Sequence, residues 1–186
     1  MVAPFLFLFY FVFEFFFMDT LALTQFIKLF TLADAAADQR VSERLALALS
    51  DPAGYQTKYA EELTERGMEA ALPPQELRDV ALIDALLSED LLWESDAQDP
   101  IAETAEGLND ILAQQGRAGC LRLAAARTTS GPEQLDALQD ALEPLGLALV
   151  LLALDSDAYP LSVVADAQAE EVRQLAKELG FTLTVY

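Results

Sequence analysis

The chain reads as a mixed α+β protein, with a helical N-terminal half followed by a mainly antiparallel sheet of ferredoxin-like βαββαβ type with helices packed on it. Three observations predict this. Apolar residues recur at helical spacing through residues 20–87, short apolar runs bounded by turn residues dominate after residue 119, and no period repeats along the chain.

Residues 1–17, MVAPFLFLFYFVFEFFF, stand apart and hold eight of the eleven phenylalanines. The run lacks the basic start and small-residue exit of a secretory signal. It is shorter than the roughly 20 apolar residues of a membrane span and is interrupted by Glu14. A half-buried strand would need a polar face, which the run does not offer. We expect the fold to begin at Met18 and residues 1–17 to be a leader outside it. Membrane attachment would require that segment to be real and retained. Residues 18–186 are then one domain, with a helical part over 18–90 and a sheet-forming part over 91–186.

From Asp19 the apolar set Leu21, Leu23, Phe26, Ile27, Phe30 and Leu32 largely follows helical spacing, which predicts a helix over about 20–37 with Asp19 or Thr20 as its cap. Ser42 is expected to cap a short apolar stretch that ends at the Asp51-Pro52 turn signal. Another helix is expected over 53–66, stopped at Gly67. Pro73 and Pro74 open PPQELRDVALIDALLSED as proline opens a first helical turn. Leu91, Leu92 and Trp93 suggest a short strand, and Pro100 starts a helix that ends near Gly116.

The run CLRLAAA is expected to be a buried strand, Pro132 opens a helix closed by Pro144 and Gly146, and LALVLLAL is the strongest strand signal. DSDAYP turns the chain into PLSVVA, then AQAEEVRQLAKEL forms an amphipathic helix capped by Gly180, and FTLTVY ends the sheet. The order over 119–186 is βαββαβ, the ferredoxin-like split motif, with both helices on one face.

Composition constrains the chemistry. There is no histidine, so histidine triads, imidazole zinc sites and histidine general bases are excluded. The single cysteine, Cys120, permits no intramolecular disulfide, and its apolar neighbourhood predicts a buried, inert thiol. Acidic residues number 31 against 11 basic ones, a net charge of −20 spread along the chain. Such a field repels phosphate backbones, so nucleic acid is not an expected partner, whereas a basic protein or a cation is compatible with it. Neither a G-x-G-x-x-G nor a G-x-x-x-x-G-K-[ST] motif is present, and no cofactor is expected.

The sharpest chemical candidate is Asp155-Ser156-Asp157 after the long apolar strand. Two carboxylates at a strand end can hold a divalent cation through hard oxygens, with Asp166 or Glu94 as a further ligand or base. The competing reading is a turn, since Asp and Ser bond locally to the backbone. A second acidic cluster, Glu94, Asp96 and Asp99, follows Trp93, and Asp99 is expected to cap the helix after it. Trp93 and Tyr159 are candidate interface anchors, with core packing as the alternative.

The stretch LDSDAYPLSVVADAQAEEVRQLAKELGFTLTVY, with LLWESDAQDPIAETAEGLNDILAQQG upstream, resembles an uncharacterised family of bacterial cytosolic domains of unknown function. In style it is similar to the small acidic immunity proteins of bacterial toxin systems. The resemblance implies a bacterial source and an α/β fold and hands over no functional residues; a cytoplasmic location is expected. Charge and the lack of histidine together favour a non-enzymatic, acidic protein-binding module that neutralises a basic partner. The alternative is a divalent-metal-dependent enzyme using Asp155 and Asp157.

Overall fold

A computed structural model of the chain describes residues 20–32, 34–68, 71–96, 98–123, 132–154 and 157–186. The expected leader over 1–17 lies outside the described residues. The chain is a mixed α+β protein, and its described residues form eight α-helices and a four-stranded sheet in which every strand pair is antiparallel. Among the described residues, no helix is long and apolar enough to cross a membrane.

Among the described residues five helices precede the first strand: α1 (20–31), α2 (Ala35–Ser50), α3 (Pro52–Lys58), α4 (Ala60–Glu65) and α5 (Pro74–Leu87). The expected helix over 20–37 is cut short because Leu32 adopts a left-handed φ of 51° and Asp34 then caps a new helix. The Asp34 carboxylate accepts from the Ala36 and Ala37 amides at 2.9 and 3.1 Å. The Ala37 bond, then the Ala36 bond, hold its carboxyl below the ordinary range, with a smaller pull from Arg40. Ser42 does not start a helix, since α2 runs through it to Ser50. Asp51 caps α3 through the Gly54 amide at 3.0 Å. The expected helix over 53–66 is broken at Tyr59 into α3 and α4, and the chain leaves α4 through Gly67 at φ 76°.

The remaining elements are β1 (Trp93–Asp96), α6 (Ile101–Gln114), α7 (Pro132–Leu142), β2 (Leu147–Leu152), β3 (Ala158–Ala165), α8 (Ala169–Leu179) and β4 (Leu183–Val185). The sheet order is β1-β3-β2-β4. Residues 121–123 of the expected strand CLRLAAA are not in a strand, and 124–126 lie outside the described residues. The first strand of the sheet is instead Trp93–Asp96, which pairs with β3 in the register Trp93↔Leu161 to Asp96↔Ala158.

Helices cover both faces of this sheet, which corrects the expectation of helices on one face. Ala148, Val150, Leu152 and Val164 point into a core shared with α1, α2, α5 and α8. Their strand neighbours Leu147, Leu149, Leu161 and Val163 point into a second core with α6 and α7. The alternation is the ordinary two-residue period of a strand, and both sides are apolar because both are covered. Phe26 of α1 stacks on Phe181, just before β4, with centroids 5.3 Å apart, and so joins the helical half to the sheet. Cys120 is exposed rather than buried, because the backbone around it does not enter the sheet.

Candidate functional site

The register Asp96↔Ala158 places the end of β1 beside the residue that follows Asp157. Both acidic clusters noted in the sequence therefore reach the same end of the sheet. Asp96 and Asp157 are exposed there. Asp99 does not cap α6. It accepts from the Asp96 amide at 2.7 Å, while Asp96 accepts from the Gln98 amide at 2.8 Å, so the pair closes the turn after β1. Asp155 and Ser156 lie outside the described residues.

The other proposed ligands are not gathered with them. Asp166 follows the far end of β3, an eight-residue strand, so about 30 Å of extended chain separates it from Asp157. Glu94 is held by Arg66, its Oε1 accepting from Nη1 at 2.7 Å. Among the described residues, no three Asp, Glu, Cys or His side chains lie close enough to hold a metal ion.

At this end of the sheet a cleft of about 630 Å³ opens between the start of α5, the end of β2 and the start of β4. Its floor includes Leu151, Leu154, Tyr159 and Leu183, all half-buried, so apolar surface continues outward from both cores. Tyr159, an anchor candidate in the sequence, lines it; Trp93 does not and instead packs against the second core.

One wall is a polar latch. Gln75 Nε2 donates to the Gly180 carbonyl at 2.7 Å and to Asp79 Oδ2 at 3.0 Å, and Asp79 Oδ1 accepts from the Thr182 amide at 2.7 Å. These bonds tie the first turns of α5 to the chain entering β4. Asp79 is only 8% exposed, yet among the described residues no Lys or Arg forms an ion pair with it or with Glu76, the other carboxylate of the wall. Among the described residues no Lys or Arg belongs to the cleft lining, but the Arg78 guanidinium stands beside Gly180 at the latch, its Nη1 2.8 Å from where a Cβ on that glycine would lie.

Two cations of the helical half, Arg44 and Arg66, are turned inward, whereas Lys28, Lys58 and most of Arg40 stay exposed. Arg44 is almost fully buried. It donates to Tyr55 Oη at 3.1 Å, Glu62 at 2.6 Å and Asp84 at 3.3 Å, with its guanidinium 4.1 Å from the Tyr59 ring centroid. Arg66 spans Asp84 at 2.5 Å and Glu94. Burial works against the charge on both arginines, but for Arg44 the Tyr55, Glu62 and Asp84 groups, and for Arg66 the Glu94 and Asp84 groups, hold the pKa above its ordinary value. Burial pushes the Asp84 carboxyl upward, with Arg66 and then Arg44 pulling against it. Burial also raises the Tyr55 phenol to about 12, against the pull of Arg44. Arg40 makes a two-pronged pair with the buried Glu89 at 2.6 and 2.5 Å. Sequence reasoning missed this network because arginine and aspartate on helices read as solvated faces.

The family model described as a domain of unknown function (DUF6630) matches residues 22–186. The chain belongs to this family. No curated protein matches the DUF6630 chain, and no solved structure matches it. The match takes in α2–α8 and all four strands, so the cleft and the arginine network both fall within the DUF6630 domain.

Proposed function

We propose that this DUF6630 protein is a non-enzymatic, acidic protein-binding module of the cytosol that engages a basic partner, in the manner of a small immunity protein. The observation that carries this reading is the unequal placement of charge. Arg40, Arg44 and Arg66 are consumed by carboxylates of the same chain. Carboxylates such as Glu43, Glu65, Asp96, Asp157 and Glu171 remain exposed. With a net charge of −20, the outward field steers a basic surface toward the protein and repels an acidic one.

Affinity capture with the whole chain as bait, at low and at high salt, tests this. A basic protein retained at low salt and released at high salt is the expected result, because exposed charge pairs weaken as the screening length falls. Retention of no basic protein, or retention indifferent to salt, refutes it. The immunity form of the role further requires that the captured protein be toxic alone and harmless when this chain is co-expressed.

A further inference from the structure

We infer that the cleft between the start of α5 and the ends of β2 and β4 is the docking site for a short protein segment carrying a bulky apolar side chain flanked by Lys or Arg. This rests on the binding role proposed above and says where the contact is made and by what chemistry. Two properties of the cleft specify the occupant. Its floor leaves Leu151, Leu154, Tyr159 and Leu183 half-exposed in a recess of about 630 Å³, a size that takes side chains rather than a flat surface. An apolar group entering it would remove that surface from water.

The second property is charge. Glu76 and Asp79 stand in the wall and Asp157 precedes the lining residue Ala158, while the nearby Arg78, beside Gly180, forms no ion pair with Glu76 or Asp79, so the wall keeps an excess of negative charge. A carboxylate offers about four acceptor positions. The bonds assigned to Asp79 use one on each oxygen, from the Thr182 amide and Gln75 Nε2, and neither donor brings a full charge. A buried carboxylate without a countercharge is costly, and an ammonium or guanidinium arriving with the partner would relieve it. An acidic or purely apolar segment would not. The latch of Gln75 and Asp79 on Gly180 and Thr182 holds the wall in place before binding, which lowers the ordering cost of association.

The test uses the full chain and three fluorescent peptides of equal length, one of Lys and Leu, one of Lys and Ser and one of Glu and Leu, read by anisotropy at about 0.15 M NaCl. The Lys/Leu peptide should bind about tenfold or more tighter than Lys/Ser, the difference expected for burying one leucine side chain, and Glu/Leu should not bind. Thr184→Lys, on an exposed cleft position, should remove most of that preference. Ala167→Lys, an exposed position beyond the far end of β3, makes the same change in net charge and should leave the preference intact. Leu154→Ser should lower Lys/Leu binding and spare Lys/Ser. Circular dichroism confirms that each variant is folded.

Equal binding of Lys/Leu and Lys/Ser, or equal losses from Thr184→Lys and Ala167→Lys, overturns the docking site while the acidic binding role survives. Failure of both cationic peptides, together with failure of the salt-dependent capture, overturns the role itself. Competition by spermine as strong as that of the Lys/Leu peptide would replace the protein segment by a small polyamine.

Discussion

Gly107 provides a test in which two physical effects of opposite sign compete. It lies inside α6, where glycine costs about 1 kcal/mol relative to alanine, so Gly107→Ala should stabilise the protein if only the helix mattered. A Cβ at this position would stand 2.1 Å from Trp93 Cδ2, 2.5 Å from Cγ and 2.6 Å from Cε2. Carbon atoms settle at about 3.5–4 Å, so the indole would have to retreat by more than about 1 Å. It has little room to do so. Trp93 begins β1, where it sits opposite Leu161, and two residues on the Ser95 hydroxyl lies 2.7 Å from that of Thr104 on α6 itself. Overpacking of a rigid ring costs about 1–3 kcal/mol, and the depth of this overlap puts it at the upper end. The expected net loss is about 2 kcal/mol, measured by urea unfolding followed by circular dichroism. In a Trp93→Leu background the overlap is gone and the same substitution should stabilise by about 1 kcal/mol, a coupling of about 3 kcal/mol across the cycle. Gly107→Ala that stabilises the otherwise unaltered protein, or costs the same in both backgrounds, refutes the packing argument.

Asp84→Ala leaves Arg44 and Arg66 with one carboxylate each, and should cost about 3 kcal/mol in denaturant unfolding, the lower end for breaking a buried pair because each arginine keeps a second partner. Since the folded Tyr55 phenol is raised from 10.0 to about 12, the unfolded chain loses that proton first as pH rises. Stability from this group is therefore full below about pH 10 and is lost as pH climbs through about 12, in total about 2–3 kcal/mol, and Tyr55→Phe should flatten that part of the unfolding curve. Cys120, exposed and unpaired, should react with a thiol reagent in the native protein within about twofold of its rate in denaturant, and a strongly protected thiol would contradict its placement.

What the sequence conveyed depended on how local the cause was. Helix starts at prolines and ends at glycines were legible, as Pro74 at the start of α5 and Gly180 after α8 show, because the signal lies within one turn. The break at Leu32–Asp34 was hidden by the alanine-rich stretch after it, which favours helix on either side of a single left-handed residue. The sheet was misassembled for a different reason. LALVLL is apolar at every position, a pattern of burial on both faces, and the ferredoxin-like arrangement with one covered face cannot satisfy it. The acidic end of the sheet was visible as two separate clusters, but only the β1–β3 register brings them together. The cleft was not visible at all. Its walls come from 73–80, 151–154, 158–159 and 182–184, none with a motif of its own, and the lone pointer was the turn sequence beside them.

The strand order β1-β3-β2-β4 also governs the sequence of events by which the chain reaches this structure. The central pair, β2 and β3, is local, joined through residues 153–157. Both outer strands must be recruited from a distance, β1 from more than sixty residues before its partner β3, as Asp96↔Ala158 shows, and β4 from beyond α8. Loop-closure entropy therefore predicts a sheet that grows outward from its middle, with the long closures at its edges as the slow steps, an order that the folding kinetics of edge-strand and central-strand variants would test. On a ribosome, α1, α2 and α5 emerge long before α8 and β4, the elements that complete their shared core. Until Phe181 arrives to stack on Phe26, that apolar face stays open to neighbours, so the nascent chain is most vulnerable to aggregation over the interval from residue 87 to residue 181.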